Sequence, residues 1–156
     1  MASIRCFRIA DARFPVFDAT GARLYGGRWN SPGRGVLYAA ETYAGAILEV
    51  LAHANIGRIP QTHGVVEIEI PEGVSMERVA ASDLTGWDNP SQKVSKDFGD
   101  RWLDEARSAA LMVPSLVTGG RESNVLLNPA HEEFASITHS NPETVMWDER
   151  LFQRSG

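Results

Sequence analysis

Tyr43-Ala44-Gly45-Ala46-Ile47-Leu48-Glu49-Val50-Leu51-Ala52 is the stretch on which the architecture turns. At about 100° per residue, Tyr43, Ile47, Val50, Leu51 and Ala54 form one apolar stripe and Ala44, Leu48 and Ala52 another. The pattern predicts a helix that is apolar nearly all round and therefore buried. Thr42 is positioned to cap it, and Asn55-Ile56-Gly57 offers residues that take the left-handed conformation at its end. Glu49 is the one carboxylate in this run. An unpaired charge there is costly, so Glu49 is expected to meet a cation or serve a ligand, and Arg28 is the nearest candidate in sequence.

Outward from that helix, strands are expected on both sides. Val36 to Ala40 is a short apolar run, and Gly64 to Ile70 alternates cleanly before Pro71-Glu72-Gly73 closes it. Ile4 to Ile9 alternates like a half-buried strand, whereas Asp11 to Arg23 carries Pro15 and Gly21 without a period and reads as a long loop. Met76 to Ala80 is a further short strand, and Asp83 to Pro90 is a loop holding Trp87. A second helix runs from Ser91 or Gln92 to about Arg107, with Val94, Phe98, Trp102, Leu103 and Ala106 on its apolar face despite Gly99. Strands are then predicted over Ala110 to Val117, Asn124 to Leu127, Phe134 to Thr138 and Thr144 to Trp147. They outnumber the helices and do not alternate with them, which indicates an α+β fold: one compact domain over residues 1–156, with mixed or antiparallel sheets and two main helices.

Composition narrows the function. With 43% apolar and 22% charged residues the 156-residue chain has the make-up of a globular protein, and no run approaches the roughly 18 apolar residues of a membrane helix. Neither an apolar leader core nor a cleavage site follows Met1, so a cytoplasmic location and no membrane contact are expected. A net charge of −5 argues against direct binding of nucleic acid. Of 15 basic residues only Lys93 and Lys96 are lysines, a bias toward the side chain that clamps carboxylate or phosphate. Cys6, the single cysteine, excludes an internal disulfide and is expected to be an inert buried thiol.

Several segments can carry chemistry. Gly26-Gly27-Arg28-Trp29-Asn30 combines two glycines, which let backbone approach a ligand, with a guanidinium able to hold a diphosphate; a surface turn with a salt-bridged Arg is the bland alternative. It matches neither the dinucleotide GxGxxG nor the P-loop. Tyr38 offers a ring for a flat heterocycle, or else is a core tyrosine with a satisfied hydroxyl. Ser115, in Val113-Pro114-Ser115, lacks the nucleophile elbow of a hydrolase. The run Glu122 to His131 is rich in amides and hydroxyls that suit ribose or, equally, a turn cap. His53, His63, His131 and His139 lack metal-ligand spacing, so no metal is expected.

Taken in order, Gly-Gly-Arg-Trp-Asn, Val-Leu-Tyr-Ala-Ala, Ile-Leu-Glu, Gly99-Asp100-Arg101-Trp102-Leu103, Val-Pro-Ser and Asn124 to His131 resemble the RES domain family, named for its Arg, Glu and Ser. The resemblance runs from about Arg5 to Trp147. It departs at His131-Glu132, where the family commonly has His-Pro, and Lys93-Val94-Ser95-Lys96 is less typical.

That resemblance implies a fold like the diphtheria-toxin-like ADP-ribosyltransferases. It also implies a bacterial toxin that consumes NAD, paired with an Xre-like helix-turn-helix antitoxin, and it admits a homodimer within the complex. Carried over by position, the catalytic set is Arg28, Tyr38, Glu49 and Ser115. Arg28, Tyr38, Ser115 and Asn124 would bind NAD, which is substrate rather than cofactor. The expected reaction is cleavage of the nicotinamide–ribose bond by hydrolysis, or by phosphorolysis with inorganic phosphate as co-substrate. Protein mono-ADP-ribosylation, or an inactive module that binds a DNA-binding antitoxin, are the alternatives.

Overall fold

The computed structural model describes residues 2–54 and 58–152. Eleven main elements follow one another. They are β1 (Ile4–Asp11), α1 (Thr20–Tyr25), β2 (Leu37–Ala40), α2 (Tyr43–Ala54), β3 (His63–Ile70), β4 (Met76–Arg78), α3 (Lys93–Glu105), β5 (Ala110–Pro114), β6 (Ser123–Leu127), β7 (Thr138–His139) and β8 (Glu143–Thr144). All eight strands join one sheet in the order β4-β5-β6-β2-β1-β3-β7, with β8 also on β3. Only β4 and β5 run parallel; the other pairs are antiparallel. This is the mixed-sheet α+β fold that the strand-rich pattern predicts.

Alternation divides the side chains of the sheet between two faces. Cys6, Leu37, Ala39, Val66, Ile68, Met112, Val125 and Leu127 project to one face, which the loop residue Val16 and Ile137 help to close. Val36, Leu111, Val113 and Leu126 project to the other, beneath Trp29, Trp87, Trp102 and Leu103. Burial pushes the Cys6 thiol up to about 12, so it stays protonated and unreactive at neutral pH.

Both long helices lie on this second face. Helix α2 contacts β1 and β2, with Tyr43 edge-on to Phe7 at 6.0 Å between ring centroids. Helix α3 brings Trp102, Leu103 and Phe98 onto β5 and β6. The Thr42 hydroxyl accepts the Gly45 N–H at 2.9 Å, the expected N-terminal cap of α2. The expected end of this helix at 55–57 lies outside the described residues.

Five local expectations change, one of them the strand expected over Thr144 to Trp147, of which only Thr144 is found, in β8. Helix α2 is covered on one side only: Ala46 and Val50 are buried, but Tyr43 and Leu48 are 40% and 42% exposed. An apolar composition all round therefore does not make this a core helix, because no second layer among the described residues covers its outer side. Residues 20–23, the end of the segment read as loop, fall in α1, which buries none of its residues and so leaves no apolar stripe to detect. Strand β5 ends at Pro114 instead of Val117, because the chain turns back just beyond it, with the Gly119 and Gly120 N–H groups donating to the Leu116 and Ser115 carbonyls at 3.0 and 2.8 Å. Residues expected as a strand from Phe134 fall mostly in a 3₁₀ turn, Glu132–Ser136, started by the His131 Nδ1, which accepts the Glu133 N–H at 3.0 Å. Among the described residues no helix is long and apolar enough to cross a membrane.

Gly99, anomalous as a mid-helix residue, is explained by packing. A Cβ there would stand 1.7 Å from the Trp29 carbonyl oxygen. Alanine in place of a helix-interior glycine ordinarily gains about 0.5–1 kcal/mol. At this position the clash must reverse the sign, so Gly99→Ala is expected to lower the denaturation midpoint in a urea titration. A midpoint at or above wild type would contradict this contact.

Candidate active site

The turn bearing Arg28 is fastened from three directions. Within it, Gly27 N–H donates to the Asn30 carbonyl at 3.0 Å. From the sheet, the Tyr38 hydroxyl accepts the Trp29 N–H at 3.0 Å and donates to Asn30 Oδ1 at 2.6 Å. A Cβ on Gly27 would lie 2.7 Å from that hydroxyl, so this glycine serves the approach of Tyr38 rather than that of a ligand. From α3, Ser95 Oγ donates to the Arg28 carbonyl at 2.7 Å. Asp100 accepts both the Ser31 N–H at 2.8 Å and the Ser31 hydroxyl at 2.7 Å. Asn30 is fully buried and spends its amide N–H groups on the Ala22 and Arg34 carbonyls at 2.9 and 3.0 Å.

Arg28 itself uses one nitrogen, Nη1, on the carbonyls of Trp87 and Asn89 at 3.2 and 3.3 Å. It does not pair with Glu49, and no carboxylate among the described residues forms a salt bridge with it. The edge made by Nε and Nη2 is thus available for a bidentate contact with an anion.

Glu49 is half-buried, and its partner is an amide: Asn124 Nδ2 donates to Oε1 at 3.0 Å. The sheet register explains the meeting. Asn124 of β6 pairs with Ala40 of β2 and Val113 of β5, which puts it on the face that carries α2. Tyr38, two positions before Ala40, occupies the same face. One rung beyond the Pro114–Ser123 pair, the Ser115 N–H donates to the Glu122 carbonyl at 2.9 Å, so Ser115 shares that face as well. Its side chain is 2% exposed, and its Oγ has no hydrogen-bond partner among the described residues.

All five residues singled out in the sequence therefore meet on one face of the sheet, in two groups. Glu49 meets Asn124 where α2 crosses β2 and β6, and Ser115 stands two residues beyond Val113, the neighbour of Asn124 on β5. The Arg28 turn, anchored through Tyr38, adjoins them toward α3. For Tyr38 both of the hydroxyl's bonds are internal, as in the core-tyrosine alternative, and burial raises the phenol above its usual pKa, keeping the proton it donates to Asn30. Asn128 and His131 prove to be turn residues, their side chains accepting the N–H groups of Ala130 and Glu133. Ser95, Asp100 and Glu122 escape the sequence reading as site residues, since a serine and two acids on amphipathic or loop segments look like solvated surface. Only Gly99, misplaced in a helix, signals that α3 touches something closely.

The RES domain matches residues 5–148, and the chain belongs to that family. The "Prs ADP-ribosylating toxin" of Sphingobium sp. (strain YBL2) is 38% identical over 157 residues, covering 96% of this chain and 97% of that protein. "Toxin Res" of Yersinia enterocolitica is 34% identical, over 93% and 97% of the two chains. In fold, the chain is similar to one from the crystal structure of the M. tuberculosis MbcT–MbcA toxin–antitoxin complex, with a TM-score of 0.72, 15% identity and coverage of 90% and 83%.

The role of Tyr38 is testable without substrate. Tyr38→Phe leaves a buried Asn30 oxygen and the Trp29 N–H unpaired, and is expected to cost about 1–3 kcal/mol of unfolding free energy. Unchanged stability in chemical denaturation would show that the hydroxyl does not fasten the turn.

Proposed function

We propose that this protein is the toxin of a toxin–antitoxin pair and that it depletes NAD by breaking the nicotinamide–ribose bond. The observation that carries this reading is a carboxylate, Glu49, held by an amide rather than a cation, on the same sheet face as a guanidinium with no acidic partner among the described residues. Such a pair suits a substrate that brings both charges itself: anionic diphosphate for Arg28 and a sugar that becomes cationic for Glu49.

The chemistry follows from the bond that breaks. As the nicotinamide nitrogen departs, positive charge grows on C1′ and the ring oxygen, an oxocarbenium-like state. Glu49 Oε1 is fixed by Asn124, leaving Oε2 to hold the nicotinamide-ribose 2′-hydroxyl and oppose the developing charge. Arg28, its Nη1 anchored on two carbonyls, binds the diphosphate through its free edge and so fixes the scissile bond relative to Glu49. Ser115 Oγ bonds a ribose or phosphate oxygen, which gives a buried hydroxyl its missing partner. Tyr38 acts through the turn, holding Trp29 and Asn30 and so fixing the backbone on which Arg28 is mounted.

Transfer of ADP-ribose to a protein is the second reading, favoured by the 38% identical relative named an ADP-ribosylating toxin. Both readings share the same bond cleavage and differ in the acceptor. A toxic NAD consumer in the cytoplasm needs restraint, and the likeness to the fold in the MbcT–MbcA complex supports an antitoxin partner. We take this to be an Xre-like helix-turn-helix protein that occludes the cleft. The net charge of −5 leaves DNA contact to that partner.

Purified protein incubated with NAD is expected to release nicotinamide, and Glu49→Gln to slow that release by at least about 100-fold while retaining the fold. Folded wild type that releases none, with or without phosphate or a protein acceptor, contradicts the assignment.

A further inference from the structure

We infer that Glu122 is a second carboxylate of this site, the base that takes the acceptor's proton, and that the acceptor is accordingly a neutral O–H group rather than an anion. The inference rests on the NAD-cleavage reading and extends it to the other reactant.

Position is the first support. Glu122 stands directly across the hairpin from Ser115, whose N–H it accepts at 2.9 Å, and two residues before Asn124, the partner of Glu49. Alternation sets Glu122 and Asn124 on the same face, about 7 Å apart along the strand. Helix α2 closes the arrangement from above. Thr42 Oγ donates to Glu122 Oε1 at 2.8 Å, and a Cβ on Gly45 would be 3.2 Å from that oxygen. Gly45 is one turn before Glu49, and helical side chains lean toward the N-terminus. The Glu49 carboxylate therefore lies over the turn that Glu122 touches.

Partnering is the second support. Glu122 is held by a hydroxyl, that of Thr42, with no cation bonded to it among the described residues. Across the hairpin from it, Ser115 is 2% exposed and its buried hydroxyl has no partner among the described residues. Two carboxylates on neighbouring parts of α2 and the β5–β6 hairpin, each held by a neutral donor, suit a division of labour in which one opposes a sugar cation and the other serves an incoming nucleophile.

The step balances simply. The C1′–N bond breaks and its electron pair leaves with nicotinamide, which becomes neutral. A lone pair of the acceptor oxygen forms the new bond to C1′, and the acceptor's proton passes to Glu122 Oε2. Inorganic phosphate would meet two negative groups here, with Arg28 already engaged on the diphosphate. Water and a protein hydroxyl share the required chemistry; free ADP-ribose or label retained on protein tells them apart.

Glu122→Gln tests this directly, because the amide oxygen still accepts the Thr42 bond. Nicotinamide release from NAD by the full chain is expected to fall about 100-fold with KM for NAD and thermal stability unchanged. Azide, a nucleophile that needs no base, should restore release in this variant and not in Glu49→Gln, and phosphate should not accelerate wild type. An active wild type matched by Glu122→Gln, a slow Glu122→Gln that azide does not rescue, or acceleration by phosphate overturns the role of Glu122 alone. Wild type that releases no nicotinamide overturns it together with the reading beneath it.

Discussion

The Arg28 turn has no room to move, because α3 approaches the Trp29 carbonyl so closely that the helix carries only a hydrogen at Gly99. Much of the arrangement depends on that contact. It lets Ser95 reach the Arg28 carbonyl and Asp100 reach Ser31, while Tyr38 fastens Trp29 and Asn30 from below. A short turn between exposed α1 and strand β2 is by itself an ordinary mobile connection. Enclosed between helix and sheet, it becomes a rigid mount for one guanidinium, and rigidity is what orientation in catalysis requires.

The second half of the site obeys a different constraint, the register of three adjacent strands. Asn124 meets Glu49 only because Ala40, Asn124 and Val113 lie side by side across β2, β6 and β5. A slip of one residue would turn Asn124 to the opposite face, where Val125 and Leu127 are buried. Register here is secured by the apolar residues on both faces of the sheet. Core packing and site assembly are thus the same fact seen on alternate residues of one strand.

How much of this can be read from the chain depends on whether a residue's role is local. Helix α2, its Thr42 cap and the alternating strand at 63–70 follow from periodicity and capping, and they are found where expected. Arg28, Glu49, Asn124 and Ser115 are recognisable as polar groups in unusual company, and the structure sets them on one face. The pairing of Arg28 with Glu49 does not follow, because an amide and two carbonyls, invisible to charge counting, take those places. Nor does the sidedness of α2, since composition cannot say that nothing covers Tyr43 and Leu48. Glu122 escapes for a similar reason: its significance comes from Ser115, Thr42 and Gly45, which are distant in sequence and meet only through the hairpin and the helix start. Short elements such as α1 and the turn at 132–136 carry too few buried residues to leave a period.

The physical claim beneath the functional reading is that the free edge of Arg28 and the free oxygen of Glu49 serve one dinucleotide. A crystal structure of the protein with a non-cleavable NAD analogue measures this directly. The account predicts the diphosphate oxygens in bidentate contact with Arg28 Nε and Nη2, and the nicotinamide-ribose 2′-hydroxyl on Glu49 Oε2. A dinucleotide bound elsewhere, or one that touches Glu49 while Arg28 keeps only its bonds to Trp87 and Asn89, would contradict it.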